Sequence, residues 1–357
     1  MIKILHSADW HLDSPLQGRT AAQTSLLRQS LLEIPGKVAA ICKEEQCDLM
    51  LLSGDLFDGA YTKDSYLALF HALESVKIPV FITPGNHDFS AADSPWLAEQ
   101  WPENVHIFTR PVMESVSLPD LNCRVYGAGF TGIDCHGLLE NFHADQAEPW
   151  AIGILHGDPT QTNSPYCPIT SQQIRASGLH YLALGHIHKG GSIQEGKTLC
   201  AWPGCPMGRG YDEDGDKGLL IVTVDEETSC RFIPLGGPKF YDLECPVENS
   251  AEEALEKLLP PVGNRDFYRI TFTGNSPAIN IASLIEQFSR FPNLELRDRT
   301  LPPVDIWRAV GEESFEGMYF QLLQDALNGQ DEENQRIIEL AARISRQILD
   351  GQEVVLP

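Results

Sequence analysis

Asp9-Trp10-His11 is the first of five short polar clusters whose side chains are good metal ligands. The others are Gly54-Asp55-Leu56-Phe57-Asp58, Gly85-Asn86-His87-Asp88, His156-Gly157-Asp158 and Gly185-His186-Ile187-His188. They hold five of the chain's 11 histidines. Imidazole and carboxylate together suit Mn, Fe, Zn or Ni. A carboxylate can bridge two cations and partly cancel their repulsion. Two ions about 3.5–4 Å apart can clamp the attacking and leaving oxygens of an in-line phosphoryl displacement. Singly, these clusters are ordinary: Asp-x-His also caps strand ends, and Gly-Asn-His-Asp also makes a tight polar turn. All five in order, each after a strand, point to a two-metal site.

The elements that must position them are apolar runs. Ile2–His6, Asp48–Ser53 and Pro79–Thr83 read as buried strands, and helix-like stretches precede the second and third. Strand and helix alternating in this way form βαβ units around a parallel sheet. Further strands are expected at 124–127, 151–155, 181–184, 198–201, 219–224 and 230–234. Helices thin out there, so a second, more antiparallel sheet is expected. Each cluster falls just past a strand, in the crevice where open α/β sheets bind ligands. An extended Asp-x-His, or His186-x-His188, puts both side chains on one side of the backbone. Gly54 and Gly85 permit tight turns that aim the next side chain inward.

The 357 residues exceed one ordinary domain. A boundary near Gly236-Gly237-Pro238 separates residues 1–238 from a smaller α+β unit at 239–303. A helical segment, 304–357, completes the chain, with Asp331 as N-cap of its last helix. A hydrophobic content of 42% excludes a disordered or fibrous chain. No run approaches the ~18 apolar residues of a membrane span, and the N-terminus lacks signal-peptide features; a cytoplasmic protein with no membrane partner is expected. The nine cysteines form neither a disulfide framework nor a zinc ribbon. Net charge is −24, of which residues 1–240 carry −13. Such acidity repels polyanions and counts against unaided nucleic-acid binding.

The ordered clusters, with Gly-Asp-Leu-Phe-Asp as their second member, resemble the calcineurin-like metallophosphoesterases in their DNA double-strand-break repair nuclease (SbcD-like) branch. His11-Leu12-Asp13-Ser14-Pro15-Leu16 is similar to the YhaO-type DNA repair exonucleases, as are Pro203-Gly204-Cys205-Pro206-Met207-Gly208-Arg209 and Lys217-Gly218. The resemblance covers residues 1–240 well; 241–300 match the family's capping domain only in position and pattern. It implies an α/β fold, a metallophosphoesterase two-sheet sandwich flanked by helices, with an α+β cap and C-terminal helices. It implies two divalent ions, with Mn expected and Fe, Zn or Ni compatible. One ion takes Asp9, His11, Asp55 and His188; the other takes Asp55, Asn86, His156 and His186. His87 remains as the general acid. The implied activity is a 3′ to 5′ DNA exonuclease, with single-strand endonuclease activity as a further capacity. The implied partners are DNA, an SMC-like ATPase resembling SbcC, and a second copy of the chain. The alternatives are a phosphoesterase for a cyclic nucleotide or phosphoprotein, and a non-catalytic scaffold for the ATPase.

Asp88 and Asp158 are candidates for orienting histidines, with turn hydrogen bonds as the alternative. Arg209 is a candidate for meeting a phosphate, with a structural ion pair as the alternative. Asp58 reads as the cap of the following helix, and His6 and Trp10 as core residues. Arg290, Arg297, Arg299 and Arg308 are offset by nearby acids and read as a solvated face. Ile337, Ala341, Ile344 and Ile348 form an apolar stripe at helical spacing, either packing on the chain itself or docking a partner.

Overall fold

Leu49–Leu52 and Val80–Ile82 are apolar at every position. Such strands need cover on both faces, as in parallel sheets. In chain order the first strands are β1 (Ile2–Ser7), β2 (Leu49–Leu52), β3 (Val80–Ile82), β4 (Val105–Ile107), β5 (Glu114–Leu118) and β6 (Cys123–Gly127). They are followed by β7 (Trp150–His156), β8 (Tyr181–Gly185), β9 (Lys189–Glu195), β10 (Thr198–Gly204), β11 (Gly218–Val224) and β12 (Ser229–Pro234). The computed structural model describes residues 1–145, 147–302, 305–351 and 354. The chain divides into two units, Met1–Phe240 and Tyr241–Pro357.

The first unit has two six-stranded sheets, in the orders β12-β11-β1-β2-β3-β4 and β5-β6-β7-β8-β10-β9. Ile4, Leu49, Phe81 and Val222 of the first pack with Val125, Ile152, Ala183 and Ala201 of the second. Helices Ile34–Glu44 and Lys63–Val76 each bury one face, including Val38 and Cys42 on one and Leu69 and Leu73 on the other.

Two expectations need correction. The second sheet is parallel at its centre and antiparallel only at its two edge pairings. The 219–224 and 230–234 strands join the first sheet, where β11 pairs antiparallel with β1 and β12. β11 is buried at all but one position, so it needs a neighbour on each side. β12 has no buried position and suits the edge.

The second unit has a three-stranded sheet of β13 (Phe240–Val247), β14 (Phe267–Gly274) and β15 (Leu294–Asp298). Helices Ala251–Leu258 and Ile281–Gln287 contribute Leu255 and Leu284 to its core beside Ile270 and Phe272. A smaller cluster of Ala309, Phe320 and Ala342 holds the helices Phe315–Ala326 and Glu332–Leu349. Asp331 caps the latter, accepting the Asn334 N–H at 2.8 Å. This last helix turns its stripe outward: Ile337 and Ile348 are 58% and 60% exposed, and Ile344 is half-buried. Its buried face carries Ala342, Arg343, Arg346 and Gln347. Arg346 lies over the Phe320 ring at 4.0 Å and pairs through Nη1 with Glu316 at 2.8 Å, which offsets part of the cost of its burial. Among the described residues no helix is long and apolar enough to cross a membrane.

His6 ties the two sheets together. Its Nδ1 lies 2.7 Å from the Tyr181 hydroxyl of β8, and its Nε2 lies 2.7 Å from the Ser53 hydroxyl. Burial pushes this imidazole down to about 3, so it stays neutral when folded. At pH 7.5 a His6→Leu chain should be less stable by about 1–3 kcal/mol, because two buried hydroxyls lose their partner. The unfolded wild type takes up a proton below its ordinary pKa of about 6.5 and the folded state does not. The His6 contribution to wild-type stability therefore falls as pH drops from about 6.5 towards 3, by at most ~1.4 kcal/mol per pH unit for one proton. Urea titrations should show the gap between wild type and variant narrowing over that range; a constant gap would contradict the neutral, buried imidazole.

Candidate active site

Asp9 and His11 leave β1 through a loop that is left-handed at both residues, with φ of 57° and 48°. Asp55 (φ 52°) and His186 (φ 95°) also have positive φ. The extended alternation expected for Asp9-x-His11 and His186-x-His188 is therefore absent. Hydrogen bonds between loops replace it. The Asp9 N–H donates to the Gly54 carbonyl at 3.0 Å, and the His11 N–H donates to the Asp55 carbonyl at 2.9 Å. The Asp9 carboxylate accepts the His186 N–H at 2.9 Å. Strained non-glycine backbones of this kind cost about 1–3 kcal/mol each and persist where their surroundings over-determine them.

Asp55 sits at the centre and is almost wholly buried. Its Oδ1 accepts the His87 N–H at 2.9 Å; its Oδ2 lies 3.4 Å from His156 Nε2 and 3.8 Å from His11 Nε2. Burial opposes its charge, but His156, His11 and His87 hold the carboxyl below the usual range. Burial likewise opposes the His156 cation, and Asp55 raises that imidazole to about 9. Two glycines allow this crowding. A Cβ at Gly54 (φ 86°) would lie 2.6 Å from His156 Nδ1, and one at Gly85 would overlap the Asp55 carboxylate.

The potential ligand atoms form two groups. In one, His11 Nε2 and His188 Nε2 face each other at 3.1 Å, with Asp9 alongside. In the other, Asn86 Oδ1 lies 2.9 Å from His156 Nε2 and 3.2 Å from His186 Nδ1. His156 Nδ1 donates to the Ser53 carbonyl at 2.9 Å, which leaves Nε2 as the ring nitrogen facing Asn86 and Asp55. Two nitrogens each about 2.1 Å from one ion stand about 3 Å apart at a near-right coordination angle. These residues fit two divalent cations with Asp55 between them.

His87 differs from the rest. Its side chain is 47% exposed, against 2% for Asp55. Its Nδ1 lies 2.6 Å from Asp58, and that bond raises its pKa. Nε2 is the nitrogen left for a ligand.

Asp58 is thus not a helix cap. Thr62 caps the Lys63–Val76 helix, and Asp13 accepts the Thr62 N–H at 2.8 Å. Asp88 accepts backbone N–H groups from Asp55, Leu56, Phe57 and Gly85, at 2.7–3.2 Å. It shapes the Asp55 loop and does not orient a histidine. Burial, then the Asp55 charge, push it up to about 7. Asp158 bonds Thr160 and the Gln161 N–H within its own turn, not a histidine. Arg209 is in an ion pair with Glu213 at 2.9 Å and lies 3.7 Å from Asp58. Glu213 escapes the sequence reading; its only signal is an acid four residues after Arg209. Tyr166, also missed, has its ring 4.8 Å from that of His186. Trp10 is core and bonds the Ser7 hydroxyl at 2.8 Å.

A calcineurin-like phosphoesterase family profile matches residues 2–190. The chain belongs to that family. The uncharacterized metallophosphoesterase YhaO of Bacillus subtilis is 33% identical to this phosphoesterase over 236 residues, 62% of this chain and 57% of YhaO. The chain thus spans little more than half the length of that relative. The D component of the SbcCD nuclease of Staphylococcus epidermidis is 23% identical over 82% of this chain and 84% of its own. Its Bacillus subtilis counterpart is 25% identical over 67% and 71%.

Gly85→Ala should force the Asp55 carboxylate or its loop aside. Overpacking of this kind costs about 1–3 kcal/mol. Urea unfolding should register that loss, and Mn(II) uptake by the phosphoesterase should fall with it. Unchanged stability and uptake would show that the Asp55–Gly85 contact is not constraining.

Proposed function

We propose that this chain is a metal-dependent phosphodiesterase acting on DNA, a 3′ to 5′ exonuclease in DNA repair that also cuts single strands internally. The observation that carries the reading is the burial of Asp55 between two groups of ligand atoms, with the exposed His87 beside them. Asp9, His11, Asp55 and His188 would hold one divalent ion, and Asp55, Asn86, His156 and His186 the other, with Mn as the expected metal. Bound ions supply Lewis acidity and lower the pKa of water towards neutrality. The chain's own groups do the rest. Asp55 is held in place by the Asp88 loop and the His87 N–H. Asp58 keeps the His87 proton on a group open to solvent, from which it can pass to the leaving oxygen. DNA as substrate is supported by the two relatives that are components of the SbcCD nuclease.

The acidity of the chain, −24 overall, favours a small diester or phosphoprotein as the rival substrate. An ATPase partner resembling SbcC answers that objection by supplying the DNA footprint. The outward stripe of the last helix supports such a dock, and we extend the proposal to a nuclease dimer.

End-labelled single- and double-stranded DNA, incubated with Mn(II) and with chelator, tests the reading beside a chromogenic diester. Metal-dependent release of nucleotides from 3′ ends is expected; hydrolysis of the diester alone would overturn DNA as substrate. His87→Ala should keep metal uptake and lose about 100- to 10,000-fold in rate on DNA. It should lose far less on an ester whose leaving group needs no proton. Equal losses on both would remove His87 from the acid role. Ile337→Glu with Ile348→Glu should abolish co-purification with the ATPase and leave diester hydrolysis unchanged, since both side chains already face solvent. Retained co-purification would place the dock elsewhere.

A further inference from the structure

Glu213 lies on the segment between β10 and β11, buried, with its whole carboxylate engaged. One oxygen, Oε1, accepts His188 Nδ1 at 2.6 Å and Arg209 Nη2 at 2.9 Å. The other, Oε2, accepts the Arg209 backbone N–H at 2.6 Å. The segment folds tightly on itself: the Glu213 N–H donates to the Gly210 carbonyl at 3.1 Å, and a Cβ at Gly208 would lie 2.7 Å from the Glu213 carbonyl oxygen. Arg209 reaches the other way as well, with Nη1 3.7 Å from the Asp58 carboxylate. One guanidinium thus offsets two carboxylates, the buried Glu213 and the part-buried Asp58. One holds His188; the other holds His87.

We propose that Glu213, braced by Arg209, is the positioning residue that fixes the orientation and tautomer of His188 at the metal centre. The inference rests on the metal-centre reading above. An imidazole can offer either nitrogen to an ion, and a hydrogen bond to the other decides which. A carboxylate on Nδ1 makes that nitrogen the donor and leaves the Nε2 lone pair directed at His11 Nε2, 3.1 Å away. It also makes the imidazole a more basic ligand, and loss of such a partner typically lowers metal affinity about 10–100-fold. Arg209 is then committed to the brace and is not a phosphate ligand. The signal in the sequence is an acid four residues after an arginine, in a glycine-rich segment.

The full-length chain is titrated with Mn(II), and free Mn(II) is read by electron paramagnetic resonance. Wild type, Glu213→Ala and Glu213→Gln are compared, with thermal unfolding measured in parallel. Wild type should take up two ions. Glu213→Ala should bind one of them about 10–100-fold more weakly and the other unchanged. Glu213→Gln keeps an acceptor oxygen without the charge and should fall between the two, a rescue that general loosening of the fold would not give. If Glu213→Ala does not fold, Glu213→Gln alone must still show the selective weakening. Wild-type affinity at both sites in folded variants overturns the inference, as does equal weakening at both. A wild type that takes up no Mn(II) overturns the metal-centre reading and this inference with it.

Discussion

A buried carboxylate is costly unless charge and hydrogen bonds compensate it, and Asp55 is buried at the point where the loops of both sheets converge. Three imidazoles and the His87 N–H supply that compensation. Much of the local architecture follows from the need. Gly54 and Gly85 lack side chains where a Cβ would collide with His156 or Asp55. Asp88 gathers four backbone N–H groups to hold the Asp55 loop in its left-handed form. Ser53 lends its carbonyl to turn His156 the right way.

Around that centre lies a rim of alternating charge. His87, Asp58, Arg209, Glu213 and His188 follow one another at 2.6–3.7 Å. The rim couples the exposed His87 to the part-buried His188 through a single guanidinium. It also shows how an acidic phosphoesterase keeps its crevice from being uniformly negative: the rim carboxylates, Asp58 and Glu213, are paired with His87, Arg209 and His188.

The last helix shows a different balance. An amphipathic helix ordinarily buries its isoleucines. Here Arg343 and Arg346 are buried, made tolerable by Glu316, the Phe320 ring and the Pro302 carbonyl. Among the described residues the apolar stripe is left facing out, with Ile337 and Ile348 exposed.

The sequence by itself determined the candidate ligand types, their order and their position after strands, because apolar runs and polar strand ends are local patterns. Helix 63–76 and the Asp331 cap were legible for the same reason. The family followed from the Gly-Asp-Leu-Phe-Asp and Gly-His-Ile-His clusters, without any need for coordinates. Only the tertiary structure decided which sheet takes β11, since a strand buried on both faces suits either sheet in sequence terms. Only it showed that Asp9, His11 and His186 depart from extended backbone, because the hydrogen bonds responsible come from loops far along the chain, as in Asp9 to Gly54. The partner of Asp58, which reads in sequence as a helix cap, and the role of Glu213 were hidden for a related reason. An isolated carboxylate acquires its role from the side chain it meets, and those meetings span 29 and 25 residues of sequence.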